Sequence, residues 1–268
     1  MTSGIISDKT GDEQSDPECL KYFNSSYLVY AGNENARIKV NKADKTYEVS
    51  NNTNWENIWN GEYKKYIAQM LAEKYEMRSQ GEIIFYGASN FRLWSFMERD
   101  MEPYSVQNHR IGGCTDTDLI ELADTLLYPF KPKAVFIQTG SNDYINGESL
   151  DEVFANKDKM FQEFRKELPD TAFIVMSGLP LLGRPEYWDL TVKVNEYLKE
   201  YCEKNENMYF VDATSAMLSD EGTPDMETSD GRYFNPSIYV SDGLHLNQEG
   251  HDLWTPFMKD KLKELGIE

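Results

Sequence analysis

The chain is short of basic residues: 27 Lys and Arg stand against 46 Asp and Glu, a formal charge of −19 over 268 residues. Nucleic acid and anionic membrane surfaces attract basic patches, so this balance argues against both as partners. It suits a neutral or modestly charged small substrate. Cysteine is scarce as well. Cys19, Cys114 and Cys202 are too few and too scattered for a disulfide framework or a zinc site, and they fit a reducing compartment. No apolar run approaches the roughly 20 residues that a membrane-spanning helix needs. Met1 to Pro17 lacks the basic and apolar parts of a secretory signal, so a cytoplasmic location is expected, with secretion left open. Several motifs are missing too. Without Gly-x-Ser-x-Gly the α/β-hydrolase elbow is set aside. Without a Walker loop or Gly-x-Gly-x-x-Gly the common nucleotide sites are absent. With only three histidines and no His-Glu-x-x-His, catalytic zinc is not expected.

Hydrophobic residues make up 40% of the chain and aromatics 13%, ample for a packed interior. Residues 1–80 read as an appendage. Met1 to about Cys19 is polar and acidic, a loosely held arm. Alternating runs at Ser26–Tyr30 and Arg37–Val40 predict one or two hairpin-like strands. Trp55, Ile58, Trp59, Tyr63, Tyr66, Ile67, Met70, Leu71 and Tyr75 recur at three- and four-residue spacing, which predicts an amphipathic helix packing on the main domain. Residues 81–268 alternate strand and helix, the pattern of a parallel sheet covered on both faces. Strands are predicted just before Gly87 and at Tyr104–Asn108, Ala134–Thr139, Phe173–Ser177 and Met208–Asp212. Capping-box patterns at Thr115–Asp118 and Ser149–Glu152 open two helices, and Leu190–Glu203 and Gln248–Leu265 form two more. The fold class expected is α/β, a three-layer α/β/α domain on five parallel strands. Ser219–Val240 reads as irregular. Its Tyr233, Phe234 and Tyr239 either pack beneath the loop or wall a pocket as a lid.

In an open sheet of this kind ligands bind beyond the carboxyl ends of the strands. Ser89 follows the first predicted strand by a sharp glycine turn, either as the cap of the next helix or as a nucleophile awaiting a base. His245 is the candidate base, since its ordinary pKa lies near neutrality. Asp242, three residues earlier, can accept the imidazole Nδ1–H and fix the tautomer. Gly113 can bring a bare backbone N–H to a developing oxyanion, and the Asn142 amide can donate a further bond. Each residue has a plainer role: Gly113 in a positive-φ turn, Asn142 in a local turn, Asp242 and His245 as a loop pair before the last helix. All of these holding together on successive strand ends is the less economical reading. Cys114 reads as a buried thiol and His251 as surface or packing on the final helix.

The ordered set Ser89, Gly113, Asn142 and His245 resembles the four-block pattern of the SGNH hydrolases, the GDSL-type esterases, lipases and acylhydrolases. The blocks are Phe85-Tyr86-Gly87-Ala88-Ser89-Asn90, Asn108-His109-Arg110-Ile111-Gly112-Gly113-Cys114-Thr115, Gly140-Ser141-Asn142-Asp143 and Asp242-Gly243-Leu244-His245-Leu246-Asn247. Arg92-Leu93-Trp94, Pro180, Arg184, Trp188 and Asn195 are as in one bacterial branch, and the similarity spans about Gly81 to Leu265. The resemblance implies a flavodoxin-like sheet and ester hydrolysis through a serine acyl-enzyme, with no metal or organic cofactor. Ser89 would be the nucleophile, completed by Asp242 and His245. The oxyanion hole would be the Ser89 N–H, the Gly113 N–H and the Asn142 side chain. Asn90, His109, Asp143, Tyr144 and Arg184 are candidates for substrate contact. Ala88 departs from the family, which usually has aspartate there, and this opens the question of what holds the serine loop. The expected activity is removal of a short acyl group, acetyl foremost, from a carbohydrate or small alcohol. A lysophospholipase or thioesterase of the same fold is an alternative, as is a non-catalytic carbohydrate- or partner-binding module.

Overall fold

The computed structural model describes residues 27–29, 37–41, 46–50, 61–75 and 80–268. The chain divides into two compact units, Met1–Met77 and Arg78–Glu268. In the first, β1 (Tyr27–Val29), β2 (Arg37–Asn41) and β3 (Thr46–Ser50) form an antiparallel sheet in that order. The first two are the predicted strands, and β3 is an addition paired from Arg37↔Ser50 to Asn41↔Thr46. Helix α1 (Gly61–Tyr75) buries Leu71 and Tyr75 of the predicted stripe, with Ala68 beside them. Trp55, Ile58, Trp59 and the acidic arm lie outside the described residues.

The second unit is built on five parallel strands. They are β4 (Ile83–Gly87), β5 (Val106–Arg110), β6 (Ala134–Gln138), β7 (Ala172–Met176) and β8 (Met208–Val211), in spatial order β5-β4-β6-β7-β8. Every residue of β4 and β6 is buried, as expected of parallel strands covered on both faces. On one face Ile83, Phe85, Phe136, Ile174 and Met176 join Phe91, Trp94, Trp254, Met258 and Leu262 in a single apolar cluster. On the other, Tyr86 and Phe173 meet Phe164, with ring centroids 5.8 and 6.2 Å apart. Each such aromatic contributes about 1.5–3 kcal/mol by leaving water.

The covering helices are α2 (Ser89–Leu93), α3 (Met97–Asp100), α4 (Asp116–Leu126), α5 (Ser141–Ile145), α6 (Leu150–Glu167), α7 (Trp188–Lys204) and α8 (Gln248–Glu264). Both predicted capping boxes are formed, Thr115 with Asp118 and Ser149 with Glu152. Among the described residues no helix is long and apolar enough to cross a membrane. The strand order is the flavodoxin-like one, and its reversal at β4 puts the ends of β4, β5 and β6 around one crevice.

Two expectations are corrected. The second strand is Val106–Arg110, not Tyr104–Asn108, because its register is set by β4, from Ile83↔Val106 to Gly87↔Arg110. Tyr104 is used in a turn instead, donating its N–H to Met101. The stretch read as irregular holds a short antiparallel pair, β9 (Leu218–Ser219) with β10 (Tyr233–Phe234).

Candidate active site

Gly87 brings the end of β4 against that of β6. A Cβ there would stand 2.5 Å from the Gln138 carbonyl oxygen, so a side chain would push the strand ends apart. Ala88 N–H donates to that carbonyl at 3.4 Å, and Ile111 N–H donates to the Gly87 carbonyl at 3.1 Å. Ala88 is the N-cap of α2 and makes no side-chain cap bond. Ser89 is therefore the first residue of the helix and not its cap. Its Oγ lies 2.8 Å from His245 Nε2. The other end of α2 is held from β5: Asn108 Nδ2 donates to the Phe91 carbonyl at 2.9 Å and Arg110 Nε to the Arg92 carbonyl at 3.1 Å. The Phe91 carbonyl also accepts the Trp94 N–H at 3.3 Å, which closes the last turn of the helix. At Ala88, where no side chain can bond, the serine turn is held by backbone bonds, and α2 behind it by β5 side chains.

The histidine arrives on the loop before α8. Asp242 Oδ1 accepts the N–H groups of Leu244 at 2.8 Å and His245 at 3.0 Å, and Oδ2 lies 2.6 Å from His245 Nδ1. Burial pushes the Asp242 carboxyl up, but the hydrogen bonds from the imidazole and the two backbone groups outweigh it and hold the group below the usual carboxylate range. A carboxylate only accepts, so Nδ1 carries the proton and Nε2 offers its lone pair to the Ser89 hydroxyl. The loop is clasped by the segment after β7. Gly183 N–H donates to the Gly243 carbonyl at 2.9 Å. A Cβ on Gly183 would stand 2.4 Å from the Asp242 carbonyl oxygen. Tyr239 Oη donates to the Pro180 carbonyl at 2.6 Å.

Of the donors expected around an oxyanion on neighbouring segments, Gly113 lies on the loop after β5 and Asn142 in the first turn of α5. Gly113 is exposed and takes φ +73°, the left-handed region that favours glycine. Asn142 Nδ2 donates one hydrogen to the Cys114 carbonyl at 2.8 Å, which fixes the amide plane and leaves its second hydrogen for another acceptor. Chemically, the arrangement offers a hydroxyl hydrogen-bonded to an oriented imidazole, with amide donors on the adjoining segments.

The candidates for substrate contact fare less well. His109 is fully buried, with Nδ1 at 2.5 Å from the Leu126 carbonyl and Nε2 at 3.0 Å from Gln107 Oε1. Alternation along β5 turns it into the layer beside Phe130, away from the crevice. Asp143 is also fully buried, its Oδ1 accepting the Asp116 N–H at 2.9 Å. Tyr144 is buried with its hydroxyl 2.9 Å from Thr191 Oγ1. Packing, not access, explains all three. Asn90 is buried against His251, whereas Arg184 is exposed directly after the Gly183 clasp. Phe234 and Tyr239 are buried, Phe234 against Trp188, so they pack beneath their loop. Cys114 is buried, and His251 stacks on Trp94 at 5.0 Å. Sequence reasoning missed Gly183 and Lys157; a glycine soon after a strand was the one signal for the first.

Residues 55–253 match the GDSL-like Lipase/Acylhydrolase family. The chain belongs to that family. The match starts within the first unit, ahead of Gly81. Likeness to solved structures is one of fold. A Streptococcus pneumonia protein described as a platelet activating factor has TM-score 0.65 at 20% identity, covering 78% of this chain and 96% of its own. A carbohydrate esterase of family 3 from Talaromyces cellulolyticus has TM-score 0.54 at 16% identity, covering 69% and 98%. In sequence, this GDSL-like chain is 25% identical over 189 residues to an N-acylneuraminate cytidylyltransferase of Streptococcus agalactiae, 67% of this chain and 42% of that protein. It spans less than half the length of the curated relatives it matches.

Proposed function

We propose that the protein is a serine esterase that removes a short acyl group, acetyl foremost, from a carbohydrate or small alcohol. The observation that carries this reading is the unbroken chain from Asp242 Oδ2 to His245 Nδ1 at 2.6 Å and from His245 Nε2 to Ser89 Oγ at 2.8 Å. His245 takes the Ser89 proton as Oγ attacks the ester carbonyl, and Asp242 stabilises the imidazolium. The N–H groups of Ser89 and Gly113 and the Asn142 amide receive the oxyanion. The tetrahedral intermediate collapses, His245 protonates the leaving alcohol, and the acyl group stays on Ser89. Water, deprotonated by the same imidazole, then releases the acid. The carbohydrate half is supported by relatives named for N-acylneuraminate and by the carbohydrate esterase sharing the fold.

Ser89→Ala should lower kcat/KM on an aryl acetate by roughly 10⁴-fold or more, and a fluorophosphonate should label the wild type at Ser89. A wild-type rate in Ser89→Ala overturns the serine assignment, and absence of labelling favours the non-catalytic binding module. A scan of acyl length, with acetylated sugars including O-acetylated N-acylneuraminate, addresses the substrate. A long-chain optimum overturns the acetyl reading in favour of a lysophospholipase or thioesterase.

A further inference from the structure

Behind the Gly113 loop and the start of α5 lies a buried charge cluster that the chemistry above does not use. Lys157 of α6, Asp116 at the start of α4 and Asp143 of α5 are each at most 1% exposed. Lys157 Nζ stands 3.0 and 3.3 Å from the two carboxylate oxygens of Asp116. The backbone N–H of Asp116 donates to Asp143 Oδ1 at 2.9 Å. Gly140, at φ +110°, leaves room for the ammonium group: a Cβ there would stand 2.7 Å from Nζ. Burial, then the Asp116 charge, raises Asp143 above the usual carboxylate range, opposed by Lys157 and the Asp116 N–H, while Glu148 adds a further upward push. Buried ion pairs are often replaceable by apolar residues with no loss of stability, so stability alone is a weak reason for such a cluster. Its position supplies a better one.

We infer that Lys157, Asp116 and Asp143 are positioning residues that strap the Gly113 loop to the helix carrying Asn142 and so set the spacing of the oxyanion donors. Two bonds cross between these segments, and they alternate in sequence. Asn142 Nδ2 reaches the Cys114 carbonyl, and the next residue, Asp143, holds the Asp116 N–H. Lys157 pins Asp116 from a third element, so the strap cannot swing about the Asp143 bond alone. The inference rests on the oxyanion roles proposed above for Gly113 and Asn142. Because the oxyanion forms only along the reaction path, loosening its donors lowers kcat and leaves KM in place.

The test is a double-variant cycle on an aryl acetate. Asp143→Ala should lower kcat about 10- to 100-fold with KM within about twofold, the range expected when an oxyanion donor is misplaced. Asp143→Asn retains an oxygen for the Asp116 N–H and should recover kcat to within about threefold of wild type. Asn142→Ala should lose roughly 100-fold or more. Adding Asp143→Ala to it should cost less than about a further threefold, because the strap acts through a donor already removed. Losses that multiply in the double variant, a wild-type kcat in Asp143→Ala, or a loss confined to KM each overturn the inference. If Asp143→Ala does not fold, Asp143→Leu fills the volume without accepting the bond and takes its place in the cycle. Ser89→Ala separates the two readings. Activity in that variant sinks the serine assignment itself, whereas an inactive Ser89→Ala beside a fully active Asp143→Ala sinks only the strap.

Discussion

Ser89 emerges from a strand whose five residues are all buried. Its hydrogen-bond partner stands on a loop where the side chains of His245 and Asp242 are 21% and 35% exposed. On the serine side, position is set by close backbone approach beneath a dense core: Gly87 against Gln138, and α2 under Trp94 and Trp254. On the histidine side it is set by one carboxylate that gathers three bonds and by the Gly183 clasp. The contrast teaches that stability and activity are separable here. Damage to the strand side should affect both, and damage to the loop should affect turnover with little effect on folding.

The sharpest way to break this contrast is Asp242→Asn. It keeps the shape of the loop but removes the acceptor that fixes the Nδ1–H tautomer, and kcat is expected to fall by about 10⁴-fold. Thermal unfolding should shift by only a degree or two, within the range of an exposed-site change of about 0.5 kcal/mol. A large drop in melting temperature would show that the loop carries the fold as well.

The buried side is probed by acid. Burial lowers His251 to about 4, against the small upward pulls of Asp100, the Asn90 backbone and Asp252. The unfolded chain takes up a proton near pH 6.5 that the folded chain refuses until about pH 4, so stability falls as pH drops through that window. The loss amounts to roughly 3 kcal/mol for a shift of this size. Asp143 titrates the other way: raised by burial and by the Asp116 charge, it binds its proton more readily in the fold, so its contribution to stability grows as pH falls through its raised pKa. The difference between wild type and His251→Phe in urea midpoints at pH 7.5 and 4.5 isolates the histidine. Equal slopes in the two proteins would contradict it. Asp242 does not interfere, because its depressed pKa moves its own loss of stability to lower pH.

A smaller effect is expected from Gly183→Ala. The added methyl would sit 2.4 Å from the Asp242 carbonyl oxygen and displace the loop by some fraction of an ångström. Turnover should drop by about 10- to 100-fold, the scale set by a 1 Å misplacement of a reacting group. Unfolding should move by less than about 1 kcal/mol, as for most changes away from a core. If stability moved and turnover did not, the clasp would belong to the fold and not to the histidine.

What could be read without the fold follows the range of the interaction responsible. The two capping boxes were legible because Thr115 meets Asp118, and Ser149 meets Glu152, within one turn of chain. Ser89, Asn142, Asp242 and His245 were legible as candidates because each follows or precedes a periodic element at a boundary marked by small residues. The end of β5 was not, because its register is set by hydrogen bonds to β4, and Tyr104 has the same strand propensity as Val106. His109 was misread for a related reason. Proximity in sequence to Gly113 says nothing about which side of the sheet a residue takes, and one step of alternation separates the crevice from the core. Lys157 could not be found at all. It lies 41 residues from Asp116 on a helix otherwise patterned as amphipathic, and a lysine at such a position ordinarily faces water.

The β9–β10 pair has a bearing on how this chain could diversify. Ser219 and Tyr233 are register partners, so residues 220–232 start and end at nearly the same point, within the roughly 4.5–5.5 Å that separates paired Cα atoms, and Ser229 Oγ ties the stretch back to Asp189 of α7 at 2.7 Å. Downstream, Ile238 and Tyr239 anchor the return in the core before the Asp242 turn begins. The excursion is thus a cassette. Its outer residues can vary between the two partners without moving Ile238 and Tyr239, and so without moving the loop that carries His245.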